Sequence, residues 1–537
     1  VSAPVLVETL QRAPRWWQHR RRRAALPVVA GLIALVVVLP LIVIIMQATQ
    51  SGWDAVRQLL GRPLIATLLG HTVALTVTVT ATTLVLGFTA AWLVERTDLP
   101  GKRVWTVLAA MPLAVPEFVH GYCWVSLVPQ VQGFPGAVLV MTSALYPLVF
   151  LPTAAVLRRS DASIEEVARS LGRGWWSVLW RVTLPQARPA LAGGALLVSL
   201  YLLGEYGAFA MLRYTTFATA IYTQFNTAFD TASASMLTLI LVALAAVLVV
   251  LDARVGRKGR VVREGTTARP AAPIRLGRGR IPAFAGMTVL VGVTVGVPVF
   301  ALVYWLVRGS STTLPSASIF GAAATTVGYA LAAAGVATAA AVPVALNTWR
   351  HSTRWAATVE RAIYLTRSLP GIAIALALVF FSIRYAPAVY QEPPLMVAGY
   401  SILFFPLALT AVRASLAHVP HGVEDVARSL GTRPIMVLAR VTLPLIVPGL
   451  GAAAAMVALT ASTELTATLL LRPTGTETLA TQFWIYTSGL AWGAAAPYAA
   501  VMTALSIPAV LMLTRRTLGK AATPTSPIPE PRKELVS

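Results

Sequence analysis

Roughly twelve apolar stretches, each about the length of a membrane-crossing helix, run through this chain. They lie near 27–46, 70–93, 104–128, 136–156, 190–212, 234–252, 284–307, 322–346, 362–384, 394–412, 449–471 and 493–514. In hydrocarbon, every backbone N–H and C=O must find its partner within the protein, so stretches of this length fold as helices. Of the 537 residues, 57% are hydrophobic and 12% charged. That balance excludes a set of soluble domains and predicts an all-α membrane protein. Pro and Gly inside the stretches are no objection, because neighbouring helices can satisfy the freed backbone groups. The first stretch follows a basic run, Arg20 to Arg23, but is too long for a cleaved leader and lacks a small-x-small cleavage site. The single cysteine, Cys123, falls in the third stretch and excludes a disulfide framework or a cysteine-based metal site within one chain.

The net charge of +23 would suit a nucleic-acid binder if it were spread over a surface. It is instead sorted by side. With a cytoplasmic N-terminus, about 36 of the 43 Lys and Arg fall in loops and tails on that side. About six fall on the other: Arg57, Arg62, Arg213, Arg308, Arg384 and Arg472. This asymmetry places both termini in the cytoplasm and turns the basic surface toward anionic headgroups.

One polar passage occurs twice. Residues 166–172 read Glu-Val-Ala-Arg-Ser-Leu-Gly, and residues 425–431 read Asp-Val-Ala-Arg-Ser-Leu-Gly. Arg-Val-Thr-Leu-Pro follows each, at 181–185 and 440–444. At the same offset, Pro147, Pro189, Glu205 and Arg213 match Pro406, Pro448, Glu464 and Arg472. One position closer, Pro112 matches Pro370, and Thr223-Gln224-Phe225 matches Thr481-Gln482-Phe483. The chain divides accordingly into a basic N-terminus (1–26), a first repeat (27–252), a linker (253–282), a second repeat (283–515) and a polar tail (516–537). The duplicated loops span about 158–188 and 413–447. The linker and tail compositions predict mobile, unfolded chain. Six spans per repeat return the chain to its starting side, so the repeats are parallel and a pathway between them is expected.

Each loop carries helix signals. Ser163 and Glu166 form a capping box, and Glu165 and Arg169 stand four apart in the favourable order, as do Glu424 and Arg428. Gly172 and Gly431 suit the left-handed residue that ends a helix. A second short helix over Trp175 to Leu184 should stop at Pro185. Trp175, Trp176 and Trp180 suit either a membrane surface or a protein partner. A helix that merely rests on lipid would need no second copy in register.

The pattern Glu-x-Ala-x-x-x-Gly, nine residues, then a β-branched residue, x, Leu, Pro resembles the cytoplasmic coupling motif of ATP-binding-cassette importer permeases. It is carried by Glu166, Ala168, Gly172, Val182, Leu184 and Pro185, and again by Asp425, Ala427, Gly431, Val441, Leu443 and Pro444. Asp425 departs from the usual Glu, and Val167 and Val426 replace the usual second Ala. The resemblance implies the type I importer permease fold, with about twelve transmembrane helices in two parallel six-helix repeats. It implies docking to two copies of a cytoplasmic ATPase, which carry the ATP and Mg, and to an extracytoplasmic solute-binding protein. This chain has no Gly-x-x-x-x-Gly-Lys-Ser/Thr loop and is not itself expected to be an enzyme or to hold a cofactor. Two fused permease halves, the segment Glu464 to Pro473, Ser368 to Gly371 and the run Pro112 to Trp124 resemble the iron(III) importer branch. Thiamine importers share the fused layout.

Charged side chains inside a membrane usually face a cavity or a partner. Glu117, Glu205 and Glu464 are such residues, and His120 lies one turn from Glu117. Carboxylates suit a hard cation, and equally thiamine or a polyamine. Each could instead cap a broken helix, and His120 alone reads as a packed histidine. No cluster has the spacing of a dedicated metal site. Two other classes remain open at this point. A six-plus-six secondary carrier shares the parallel repeats, but would not need two docking helices. A multi-span enzyme would need catalytic clusters on its outer loops, which are short and poor in His, Asp and Glu.

Overall fold

The computed structural model describes all residues except 1–24, 51–56, 59–60, 160–161, 257–272, 309–316, 351–352, 368 and 519–537. The expectations for the N-terminal arm, most of the linker and the tail concern residues outside those described, as does the Ser163 side chain of the proposed capping box. The first repeat runs α1 (Ala25–Gln50), α2 (Pro63–Arg96), α3 (Lys102–Ala110), α4 (Glu117–Leu127), α5 (Gly133–Leu145), α6 (Pro147–Arg159), α7 (Ala162–Ser170), α8 (Trp175–Val178), α9 (Leu184–Gly204), α10 (Gly207–Met211), α11 (Phe217–Asn226) and α12 (Thr231–Gly256). The second runs α13 (Arg280–Val291), α14 (Val297–Arg308), α15 (Ala317–Arg350), α16 (Arg354–Thr366), α17 (Gly371–Tyr385), α18 (Pro393–Leu416), α19 (His421–Ser429), α20 (Pro434–Val437), α21 (Leu443–Ser462), α22 (Thr466–Leu471), α23 (Leu479–Ser488) and α24 (Trp492–Leu518). Among the described residues, ten helical segments are long and apolar enough to cross a membrane, and two bent pairs raise this to twelve.

The repeats embrace each other. Helix α1 packs on α15, α16 and α17 of the second repeat, while α13 and α14 reach back to α3 and α4 of the first. The contacts correspond: Trp355 of α16 lies under Gly31 of α1 and donates to the Pro27 carbonyl at 3.3 Å, and Trp105 of α3 meets Phe284 of α13 edge-on at 5.3 Å. The re-entrant helices also cross over. Phe118, Tyr122 and Cys123 of α4 pack with Leu465, Phe483 and Ala499, while Ile372 and Leu376 of α17 pack with Leu203, Phe217 and Leu241. Exchanging apolar arms in this way adds buried contacts between the repeats to the core that each packs within itself.

Four expected spans are not simple rods. The stretch 104–128 is α3 and α4 bent by 90°, and 362–384 is α16 and α17 bent by 104°. In the first, Pro112 and Pro116 offer no N–H, Val115 is extended, and the helix restarts behind Pro116. In the second, Pro370 stands before α17 in the same way. The stretches 190–212 and 449–471 break after Gly204 and Ser462 and restart as α10 and α22.

Pro185 does not stop a helix. The run Leu179–Thr183 widens into a π-turn between α8 and α9, and Leu438–Thr442 does the same between α20 and α21. A π-turn takes up the register that a proline would otherwise break, so each span begins in its duplicated loop, at Trp175 and Ile435.

The structure also corrects two matches between the repeats. Pro370 stands before α17 as Pro116, not Pro112, stands before α4. The capping boxes of α11 and α23 pair Thr216 and Thr219 with Thr478 and Thr481, so Thr223 is not the mate of Thr481. Both errors are slips of four residues. One helical turn restores nearly the same face, which is why the pattern tolerated them.

Candidate functional site

The two loops share one construction. In the first, α7 ends on Gly172 at φ +77°, and in the second, α19 ends on Gly431 at φ +83°. The Gly172 N–H donates to the Arg169 carbonyl at 2.9 Å and the Arg173 N–H to Ala168 at 3.1 Å. Gly431 and Thr432 repeat both bonds to Arg428 and Ala427, at 3.0 and 3.2 Å. This is the Schellman arrangement that satisfies the last carbonyls of a helix. Ala168 and Ala427 are half-buried, whereas Glu166 and Asp425 face solvent. Leu184, Pro185 and Leu443 are half-buried where the π-turns join the spans, and Pro444 is exposed.

Exposed apolar side chains crown both loops. Ile164, Val167 and Leu171 do so in the first, and Val426, Leu430, Ile435 and Met436 in the second. Leu171 is 75% exposed and its counterpart Leu430 is 80% exposed. The first loop adds stacked indoles, with Trp175 between Trp92 at 6.2 Å and Trp176 at 4.0 Å.

Glu165 and Glu424, one residue before the motif's acidic position, hold the loops in place. The expected partners Arg169 and Arg428 are there, at 3.7 and 2.6 Å. The sequence reading missed two more partners per loop. Glu165 also meets Arg96, the last residue of α2, at 3.0 Å, and accepts from the Thr183 hydroxyl at 2.9 Å. Glu424 meets Arg350, the last residue of α15, at 2.6 Å, and accepts from Thr442 at 2.5 Å. An available signal was an arginine closing each 34-residue apolar helix, where a cation suits the helix C-terminus. Burial alone would raise the Glu424 pKa. Hydrogen bonds from Arg350 and Thr442, with the charges of Arg350 and Arg428, outweigh it and hold the carboxyl below its usual range.

The intramembrane carboxylates all sit where helices break. Glu117 opens α4 behind Pro116. Glu205 accepts from the Ala208 N–H at 2.7 Å, and Glu464 from the Ala467 N–H at 3.0 Å, so they cap α10 and α22. All three are half-buried, and Glu117 lies within electrostatic reach of the other two. The repeats meet here: Gly204 lies against Pro370, Gly371 faces the Glu464 carboxylate, and Gly207 is wedged between Leu465 and Phe118. His120 is fully buried, with Nε2 3.3 Å from the Pro112 carbonyl, inside the broken helix. Among the described residues, no three His, Cys, Asp or Glu stand close enough to hold a metal ion together. The arrangement supplies separate carboxylates at the breaks of three helices rather than a chelating cage. At the end of the bundle away from the loops, cavities of about 430 and 580 Å³ contain Arg213 and Arg472.

Duplicated bundles of broken spans with exchanged arms, carboxylates where the repeats meet and a matched pair of polar loops are the architecture of a membrane permease. Residues 84–261 and 334–515 each match the family described as "Binding-protein-dependent transport system inner membrane component", and the chain belongs to that family. It is the permease component of an importer of the ATP-binding-cassette type. It is 35% identical over 488 residues to the Fe(3+)-transport system permease protein FbpB 2 of Haemophilus influenzae, covering 90% of this chain and 96% of the relative. The sulfate transport system permease protein CysW of Synechocystis is 28% identical, over 34% of this chain and 71% of its own length. CysW of Escherichia coli is 29% identical, over 33% and 67%. One copy of what this chain has twice thus fills most of such a relative.

Proposed function

We propose that this permease carries iron(III) across a bacterial inner membrane, powered by two copies of a separate cytoplasmic ATPase that bind ATP and Mg. The observation that carries the cargo reading is the 35% identity, along 90% of the chain, to a relative described as an Fe(3+) permease. The constriction supports it: three half-buried carboxylates would repel sulfate and pass a hard cation. Their spacing also suits transport, since a passage that chelated its cargo would not release it. Each ATPase docks on the apolar crown of one loop, around Leu171 and Leu430, with Glu166, Ala168, Gly172, Leu184, Pro185, Asp425, Ala427, Gly431, Leu443 and Pro444 shaping that surface. Both termini lie in the cytoplasm, as the sorting of Lys and Arg requires. An extracytoplasmic binding protein delivers cargo at the opposite face, over the cavities with Arg213 and Arg472. Cargo then passes Glu117, Glu205 and Glu464, with His120 serving the wall of the passage.

The test is uptake by proteoliposomes holding the permease, its ATPase and its binding protein. ATP-dependent accumulation of iron, with none of thiamine, polyamine or sulfate, is expected. Uptake driven by an ion gradient without ATP, or selective for another solute, would overturn the reading.

A further inference from the structure

We infer that Glu165 and Glu424 are positioning residues that pass each coupling helix's motion to two spans at once. This rests on the ATPase-docking reading above and extends it to residues behind the docking surface. The two carboxylates distribute their partners in the same way. Oε1 takes the arginine that ends the 34-residue helix of the same repeat, α2 or α15, and the threonine hydroxyl in the π-turn opening the next span. Oε2 takes the arginine four residues on, within the coupling helix itself. One carboxylate therefore ties three elements: α2, α7 and the start of α9 in the first repeat, and α15, α19 and the start of α21 in the second.

Stability alone does not explain this device. Desolvating an ion pair costs nearly what the pair returns, and apolar side chains of similar size usually hold as well. A carboxylate with three directed partners adds geometry: each partner's position is fixed relative to the others, with a planar guanidinium on the long-span side. The coupling helices have only nine residues each, and the buried Glu165 and Glu424 carboxylates anchor them to the bundle. When an ATPase moves α7 or α19, the ends of the long spans move with it. Without the tie, the helix tilts on its glycine bend and the spans lag.

The test uses the full importer, assembled with its ATPase and loaded binding protein, and reads solute transported per ATP hydrolysed. Glu165→Gln and Glu424→Gln keep the shape but remove the charge that gathers the arginines. In assembled complexes, each should lower solute per ATP at least tenfold, and Glu165→Asp should recover part of the loss. A merely structural role would lower assembled yield and leave the ratio at the wild-type value, and that result overturns the inference. Should the glutamine variants fail to assemble, Thr183→Val and Thr442→Val decide. A ratio lowered severalfold supports the tie, and an unchanged ratio overturns it. Failure of the wild-type chain to bind the ATPase would instead sink the docking reading.

Discussion

The two clamps are built alike but differ in how deeply each buries the arginine that ends its long helix. Arg96 is 3% exposed and its counterpart Arg350 20%, while Glu165 and Glu424 are both 4% exposed and Arg169 and Arg428 are 38% and 28% exposed. A second difference lies close by in the chain. The end of the inter-repeat linker lies along residues 96–98: Ile274 donates to the Arg96 carbonyl at 2.8 Å, Asp98 donates to Ile274 at 3.0 Å, and the Leu276 N–H reaches the Asp98 carboxylate at 2.9 Å. The second clamp has an added surface pair instead, Asp425 with Arg428 at 3.1 Å. The segment that joins the two permease halves thus pairs with the end of α2 beside the first clamp. A shared construction does not imply equal burial of the arginine that each glutamate holds.

Removing the carboxylates tests that difference most strongly. Glu165→Ala breaks the buried ion pair with Arg96 and the hydrogen bond from Thr183, and should cost about 3–5 kcal/mol. Glu424→Ala should cost about 1.5–3 kcal/mol, because water reaches Arg350. Thermal unfolding in detergent measures both, and equal losses would contradict the asymmetry.

The glycine bends provide the matched control. A Cβ at Gly172 or Gly431 meets nothing within 4 Å, so substitution costs only the left-handed backbone. Gly172→Val and Gly431→Val should each lose about 1–2 kcal/mol, alike in both loops, with transport uncoupled and insertion retained. Unequal losses here would mean that the loops differ in backbone and not only in burial.

Acid should loosen the second clamp late. The folded Glu424 pKa lies below its unfolded value, so its contribution is complete above the ordinary range near 4.3 and is lost as pH falls through the lower folded value. Titrating Glu424 by carbonyl-labelled infrared spectroscopy against Glu424 in unfolded chain checks the sign, and a raised folded value contradicts it. The smallest effect is that of the linker. Asp98→Ala removes the acceptor of Leu276, and proteolysis near 274–276 should quicken severalfold, with no change at the second loop.

Much of this was legible in the chain, for physical reasons. Apolar length alone required helices, and Gly172 and Gly431 announced their positive φ because few other residues adopt it. The Glu165–Arg169 and Glu424–Arg428 pairs were readable because four residues make one turn. Arg96 and Arg350 were not, since their partnership crosses whole spans and depends on how helices pack. The breaks behind Pro116 and Pro370 hid inside apolar stretches, where hydropathy does not report direction. Pro185 misled because a π-turn, invisible in composition, absorbed it. The carboxylates at 117, 205 and 464 were singled out by their cost in a membrane, and only the fold shows that two of them also cap helices.

The most direct measurement is site-specific cross-linking in the assembled importer. Leu171→Cys and Leu430→Cys place thiols on the crowns of the two loops, while native Cys123 is fully buried and stays silent. Both variants should cross-link to the ATPase subunits, with yields that change on ATP binding. Labelling of either thiol from the extracytoplasmic side, or no ATPase adduct from either, would contradict the account.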